Sequence, residues 1–267
     1  MLKKLLYYDF KTTGRVVLPI AAGVLVLNIF TDVLSHFVQN TSKTLPLTGV
    51  FMALLNLAAA VSLLVVLMVC FFIEVRQFYR LLGDRGYLML ALPVPTWQHI
   101  AAKVLCGTAW TLFGMVFFTL CGTLTADSVG GGFESDFSRA TAEDVAIWAA
   151  MFLIVLALIV GALLHAYLAC AFAAQFTLQR LLISIAAYFV IAFAEQMAAL
   201  AAVVIVVVRG YKYVNNVDFS AVSFFSYDNS MTVILLTMLA IFAVIVLVDA
   251  LLWALTQWLM TKRLNLA

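Results

Sequence analysis

Six long apolar blocks leave the chain few ways to fold. They run approximately Val16–Val38, Val50–Ile73, Ile100–Ala126, Val145–Phe172, Leu181–Val208 and Met231–Leu259. Each is about 23 to 29 residues long, enough to cross a hydrocarbon layer of roughly 30 Å as a helix rising 1.5 Å per residue. In lipid every backbone N–H and C=O must be satisfied within the protein, which leaves helices and closed barrels. The blocks are continuous, whereas barrel strands alternate polar and apolar residues, so helices are expected. With 66% of its residues apolar and 10% charged, the chain has too much apolar surface for a soluble fold. The fold class expected is therefore an all-α polytopic membrane protein of six transmembrane helices, forming one transmembrane domain over residues 1–267. The first block has full spanning length and no cleavage site follows a short core, so it reads as a retained helix and not a signal peptide.

Basic residues orient the bundle. With the N-terminus inside, the cytoplasmic segments hold Lys3, Lys4, Lys11, Arg15, Arg76, Arg80, Arg85, Lys103, Arg180, Lys262 and Arg263. The external segments hold only Lys43, Arg139, Arg209 and Lys212. Both termini are thus expected in the cytoplasm. The acidic residues Asp127, Glu134, Asp136, Glu143 and Asp144 gather on an external connection. The net charge of +2 reflects this topology and gives no basis for a nucleic-acid partner; the partner common to every span is membrane lipid. Cys70, Cys106, Cys121 and Cys170 all lie within spans without a CxxC pair, as expected of buried thiols.

Two cytoplasmic segments have a pattern of their own. Residues Met1 to Arg15 place Leu2, Leu5, Leu6 and Phe10 on one helical side with Lys3, Lys4 and Lys11 at its margins. They read equally as a short interfacial helix before the first span or as a charged lead-in. In the connection from Glu74 to Lys103, the first part, Val75 to Leu82, reads as an amphipathic helix continuing off the second span. It has Val75, Phe78, Leu81 and Leu82 on one side and Arg76, Gln77 and Arg80 on the other. Gly83-Asp84 supplies a stop, Leu92-Pro93-Val94-Pro95 an extended break, and Thr96 a cap for the third span. This basic, aromatic element is either a docking surface for a cytoplasmic partner or a stiff connector anchored by Tyr79, Tyr87 and Trp97.

These two segments resemble small bacterial ABC-2-type permeases. The features that carry the likeness are KLLYYDFKTTGRVVLPI at the start, then Phe78-Tyr79, Gly83-Asp84-Arg85-Gly86-Tyr87, Leu92-Pro93 and the span-opening Lys103, about 45 residues in all. Arg85 departs from the family pattern, which has an acidic residue in the Gly-Asp-x-Gly-Tyr segment. The resemblance implies a type V exporter fold in a multi-pass protein of the bacterial cell membrane. Residues 1–15 would be an N-terminal elbow helix, the loop at 74–99 would hold a coupling helix, and 209–230 an external re-entrant segment. It also implies a second permease subunit, forming a homodimer or heterodimer, and ABC ATPase partners docked through Arg76, Phe78, Tyr79, Arg80, Gly83, Asp84, Gly86, Tyr87, Leu92 and Pro93. Amphiphilic peptides, lipids or drugs are the cargo such exporters suggest.

No GxxxxGK followed by Ser or Thr occurs, nor HExxH, GxSxG or a paired-carboxylate motif within a span. The expectation is no enzyme activity and no cofactor in this chain, with ATP and Mg bound by the partner subunit. Ionisable groups inside spans are costly and need explaining: Asp32, His165, Glu195 and Asp249, with Gln196 beside Glu195. Counting from the cytoplasmic ends, Asp32 and Glu195 lie roughly 24 and 21 Å up, and His165 and Asp249 roughly 10 and 15 Å up. Depth thus pairs His165 with Asp249, and more weakly Asp32 with Glu195, which repel unless a proton or cation intervenes. They line a translocation path or serve as buried polar contacts. Ala187, Ala194, Ala198 and Ala201, and Ala157, Gly161, Ala162 and Ala166, are spaced for close helix packing within the bundle. Two other functions fit these residues: an ion-coupled secondary transporter relaying protons through Glu195, Asp249 and His165, and a non-transporting receptor or scaffold.

Overall fold

The computed structural model of the protein describes residues 2–41, 46–82, 95–129, 142–176, 179–214 and 230–262. Six α-helices fill them: α1 (Leu2–Thr41), α2 (Pro46–Leu81), α3 (Thr96–Val129), α4 (Ala142–Ala173), α5 (Arg180–Val214) and α6 (Ser230–Lys262). Among the described residues there is no strand, and all six helices contain a stretch long and apolar enough to cross a membrane. The chain is therefore all-helical, and each expected span lies inside one helix. Hydroxyls inside these helices spend their donor on the preceding turn: Thr31 on the Leu27 carbonyl, Thr108 on Val104, Thr111 on Gly107 and Thr256 on Leu252. That is how Ser and Thr are carried through apolar surroundings without an orphaned O–H.

The chain divides into two compact units, one holding α1, α2 and α3, the other α4, α5 and α6. In the first, Val17 and Ala21 of α1, Leu63, Val66 and Cys70 of α2, and Cys106, Trp110 and Phe117 of α3 form one cluster. Their spacing of three and four residues puts each set on one helix face. α1 and α3 approach closely at Gly14, where an added Cβ would lie 3.1 Å from the Trp110 ring. α1 buries Thr13, Asn28, Thr31 and Ser35, while its Phe30, Val33 and Phe37 are more than 60% exposed. Polar groups inside and large apolar groups outside invert the soluble pattern and suit a lipid surround.

In the second unit α4 packs against both α5 and α6. Leu163, Leu164 and Tyr167 are buried on α4, and Leu252, Thr256 and Leu259 on α6. Ala157, Ala166 and Ala187 are buried as the small-residue spacing predicts, whereas Ala194, Ala198 and Ala201 are exposed, so that part of the α5 stripe does not pack within the bundle. All four cysteines are buried.

Two expectations change. The lead-in is not a separate helix: Leu2–Arg15 is the start of an unbroken α1, held there by side-chain bonds to α2 and α3. Gln77, placed on the polar side with Arg76 and Arg80, turns inward and bonds to α1 and α3. The segment Val75–Leu81 is helical, as expected, and continues α2.

Candidate functional site

The end of the first unit that carries the start of α1, the end of α2 and the start of α3 is organised around Lys103. Its ammonium donates to Asp9 Oδ1 at 2.6 Å and to Gln77 Oε1 at 2.8 Å. Gln77 Nε2 donates to Thr13 Oγ1 at 2.7 Å, and Thr13 donates to Glu74 Oε1 at 2.7 Å. The chain of bonds therefore has one direction, Lys103 to Gln77 to Thr13 to Glu74, which fixes the Gln77 amide orientation because ammonium groups only donate. Cys106 Sγ adds a contact to Glu74 Oε1 at 3.6 Å, while Glu74 Oε2 has no hydrogen-bond partner. Thr13 and Glu74 are completely buried, and the Lys103 and Asp9 side chains are 7% and 14% exposed. Three helices are thus tied by a buried ion pair and a polarised relay, and such networks strengthen each member bond.

That inner face sets what the outer face presents. On α2, Glu74, Gln77, Phe78 and Leu81 point inward, and Arg76 and Arg80 are exposed. Of the residues assigned to docking, then, Arg76 and Arg80 are available to a partner, Tyr79 is half-buried and Phe78 is fully buried. Gly83, Asp84, Arg85, Gly86, Tyr87, Leu92 and Pro93 lie outside the described residues, as does most of the segment at 209–230, of which the end of α5 and Ser230 are described. Lys103, counted from sequence as a loop charge orienting the protein, proves a buried structural cation. The cue was an Asp at the start of the chain, yet nothing in the spacing joins positions 94 residues apart.

The second unit collects the buried ionisable residues. His165 Nδ1 lies 3.1 Å from Glu195 Oε2, and His165 Nε2 lies 3.1 Å from the Tyr188 carbonyl oxygen. The Tyr188 ring meets the imidazole edge-on with centroids 4.7 Å apart. Depth had paired His165 with Asp249; its hydrogen bonds go instead to α5. Helical side chains lean toward the N-terminus of their own helix. On consecutive, oppositely directed helices His165 and Glu195 therefore lean toward each other and close the gap that counting residues predicts. Asp249, on α6, lies against α4 at Gly161, where an added Cβ would meet Oδ1 at 2.6 Å. The small residue at 161 therefore accommodates a carboxylate as well as a helix.

Asp32 Oδ1 sits 3.6 Å from His36 Nε2, one turn along α1 at the i,i+4 spacing that the sequence displays openly, and makes no hydrogen bond. Gln196, next to Glu195, is exposed beside an open apolar depression lined by Phe189, Val190, Ala192 and Phe193. Among the described residues no group of three metal-ligating side chains forms. Compared with protein families, curated proteins and solved structures, the chain matches none.

Proposed function

We propose that the chain is the membrane-spanning permease subunit of an ABC-2-type transporter in the bacterial cell membrane, exporting an amphiphilic substrate. It pairs with a second permease subunit, and separate ATPase subunits bind ATP and Mg and dock at the cytoplasmic end of α2. The sequence resemblance at the start of the chain and at 78–103 supports the family. One observation supports the mechanism: α2 runs unbroken from its apolar span to Leu81, with Arg76 and Arg80 exposed and the opposite face tied to α1 and α3. A force applied at the two arginines reaches α1, α2 and α3 together, because Glu74 and Gln77 link α2 to Thr13 and Lys103. Closure of docked ATPases would thereby become a shift between inward- and outward-facing states.

The test is purification of the tagged chain from its native membranes with ATP hydrolysis measured in the eluate. Wild type should bring an ATPase with it, and the double charge reversal Arg76→Glu/Arg80→Glu should lose it while melting at the wild-type temperature, because both side chains are exposed. A wild-type eluate without ATPase, or one unaffected by the reversal, refutes the reading.

The ion-coupled carrier has one observation in its favour, the hydrogen-bonded His165 and Glu195 within helices of spanning length. Transport that persists without ATP and collapses with a protonophore would select it.

A further inference from the structure

The contacts of His165 constrain where protons sit, whichever energy source drives the protein. A backbone carbonyl oxygen can only accept, so His165 Nε2, 3.1 Å from the Tyr188 carbonyl, carries a hydrogen. If the imidazole held only that hydrogen, Nδ1 would present a bare lone pair to Glu195 Oε2 at 3.1 Å. An ionised carboxylate there would oppose lone pair to lone pair at hydrogen-bond distance. The contact is favourable only with a second proton between the atoms, either on Nδ1 as an imidazolium facing a carboxylate or on Oε2 as a carboxylic acid facing a neutral imidazole.

We propose that His165 and Glu195 form a proton-binding site inside the α4–α6 unit, one proton being held between Nδ1 and Oε2. The rest of the cluster points the same way. His165 is almost wholly buried, its side chain 8% exposed, and Glu195 Oε1 is buried without a hydrogen-bond partner. Among the described residues, the titratable groups nearest the pair are Tyr188 from α5, whose ring meets the imidazole, and the Asp249 carboxyl from α6, which lies at Gly161, one turn of α4 from His165. α4 contains no Lys or Arg, and those of α5 and α6 lie at helix ends: Arg180, Arg209, Lys212 and Lys262. Arg180 turns to the Phe176 carbonyl. Without a proton the site would hold a carboxylate with no cation from these helices to offset it, which is costly in a helix of spanning length. The ligand of this site is therefore a proton. Its departure would turn the one side-chain hydrogen bond between His165 and Glu195 into a repulsion between α4 and α5.

The test uses the full chain in lipid bilayers, labelled with 15N-histidine and 13C-carbonyl tyrosine. Of three histidines, His165 is recognised by the dipolar contact of its Nε2 to the Tyr188 carbonyl. At neutral pH the proposal expects one of two signals: a protonated Nδ1 resonance, or an infrared band of a protonated carboxyl that is lost in Glu195→Gln. The amide introduced by Glu195→Gln can donate to Nδ1 and hold the contact without a titrating proton, so the variant should keep its fold, leave Nδ1 unprotonated and lose the band. An unprotonated Nδ1 together with no Glu195-dependent carboxyl band in the wild type overturns the proposal, as does a protonated Nδ1 that persists in Glu195→Gln. If that variant does not fold, a protonated wild-type Nδ1 supports the site. An unprotonated one then overturns it unless infrared on 13C-glutamate protein shows a protonated glutamic acid that Glu74→Gln leaves in place.

Discussion

Replacing Lys103 by Met keeps the length of the side chain and removes the cation at the centre of the α1–α3 network. Two charge-assisted bonds disappear, at 2.6 Å to Asp9 and 2.8 Å to Gln77. Such bonds contribute about 1.5–3 kcal/mol each, and leaving a buried charge without its partner costs about 3–5 kcal/mol. Asp9 keeps 14% of its side chain exposed and so recovers part of its hydration, which points to the lower end, about 3 kcal/mol. At the roughly 2–4 °C per kcal/mol found for soluble domains of similar length, melting should fall by about 6–12 °C. The chain supplies its own reporter, since all four cysteines are buried and a thiol-reactive fluorophore lights up only as unfolding exposes them. The ion-pair reasoning makes a sharper claim through the double mutant. Once Lys103 is replaced by Met, Asp9→Asn should cost almost nothing, or even stabilise, whereas alone it should cost about 2 kcal/mol because the lysine loses its countercharge. A Lys103→Met melt within about 2 °C of wild type, or additive single and double effects, would refute it.

Thr13→Val should be nearly as damaging as Lys103→Met despite changing no charge. It strands a buried carboxylate oxygen on Glu74 and a buried amide on Gln77, each costing about 1–3 kcal/mol in the same melt. Gly161→Ala should lower melting even though Ala favours a helix by about 1 kcal/mol, because its Cβ collides with Asp249; Asp249→Ala should reverse the loss. Topology is checked with fusions: alkaline phosphatase joined after Ser135 should be active and a fluorescent protein at the C-terminus should fold in the cytoplasm, the reverse pattern overturning the charge-based orientation.

What was legible in the sequence was whatever is set by one helix against one bilayer. Block lengths fixed by hydrocarbon thickness located all six helices, and the 3.6-residue period continued α2 through Leu81. Relations between helices were not legible. The helical wheel put Gln77 with the arginines because amides look polar, but a partner 26 residues away in Lys103 and another 64 away in Thr13 reward turning it inward. Depth counted along helix axes ranked His165 with Asp249, since the axis count ignores the lean of side chains toward their own N-termini. Asp32 with His36 is the reverse case: both lie on one helix, so spacing alone displays their approach.

Pro19 gives the long first helix a mechanical asymmetry. It sits inside α1 with no N–H to offer the Arg15 carbonyl, between the anchored turns at Asp9 and Thr13 and the longer remainder of the helix. Beyond the proline Ala21 still packs in the cluster shared with α2 and α3, but by van der Waals contact and not by buried hydrogen bonds. The missing backbone bond makes bending cheaper at this turn than in an uninterrupted helix. If α2 were displaced, its bonds to Thr13 would carry the movement to the N-terminal end of α1, and Pro19 would be the place where the rest of the helix could bend away from it.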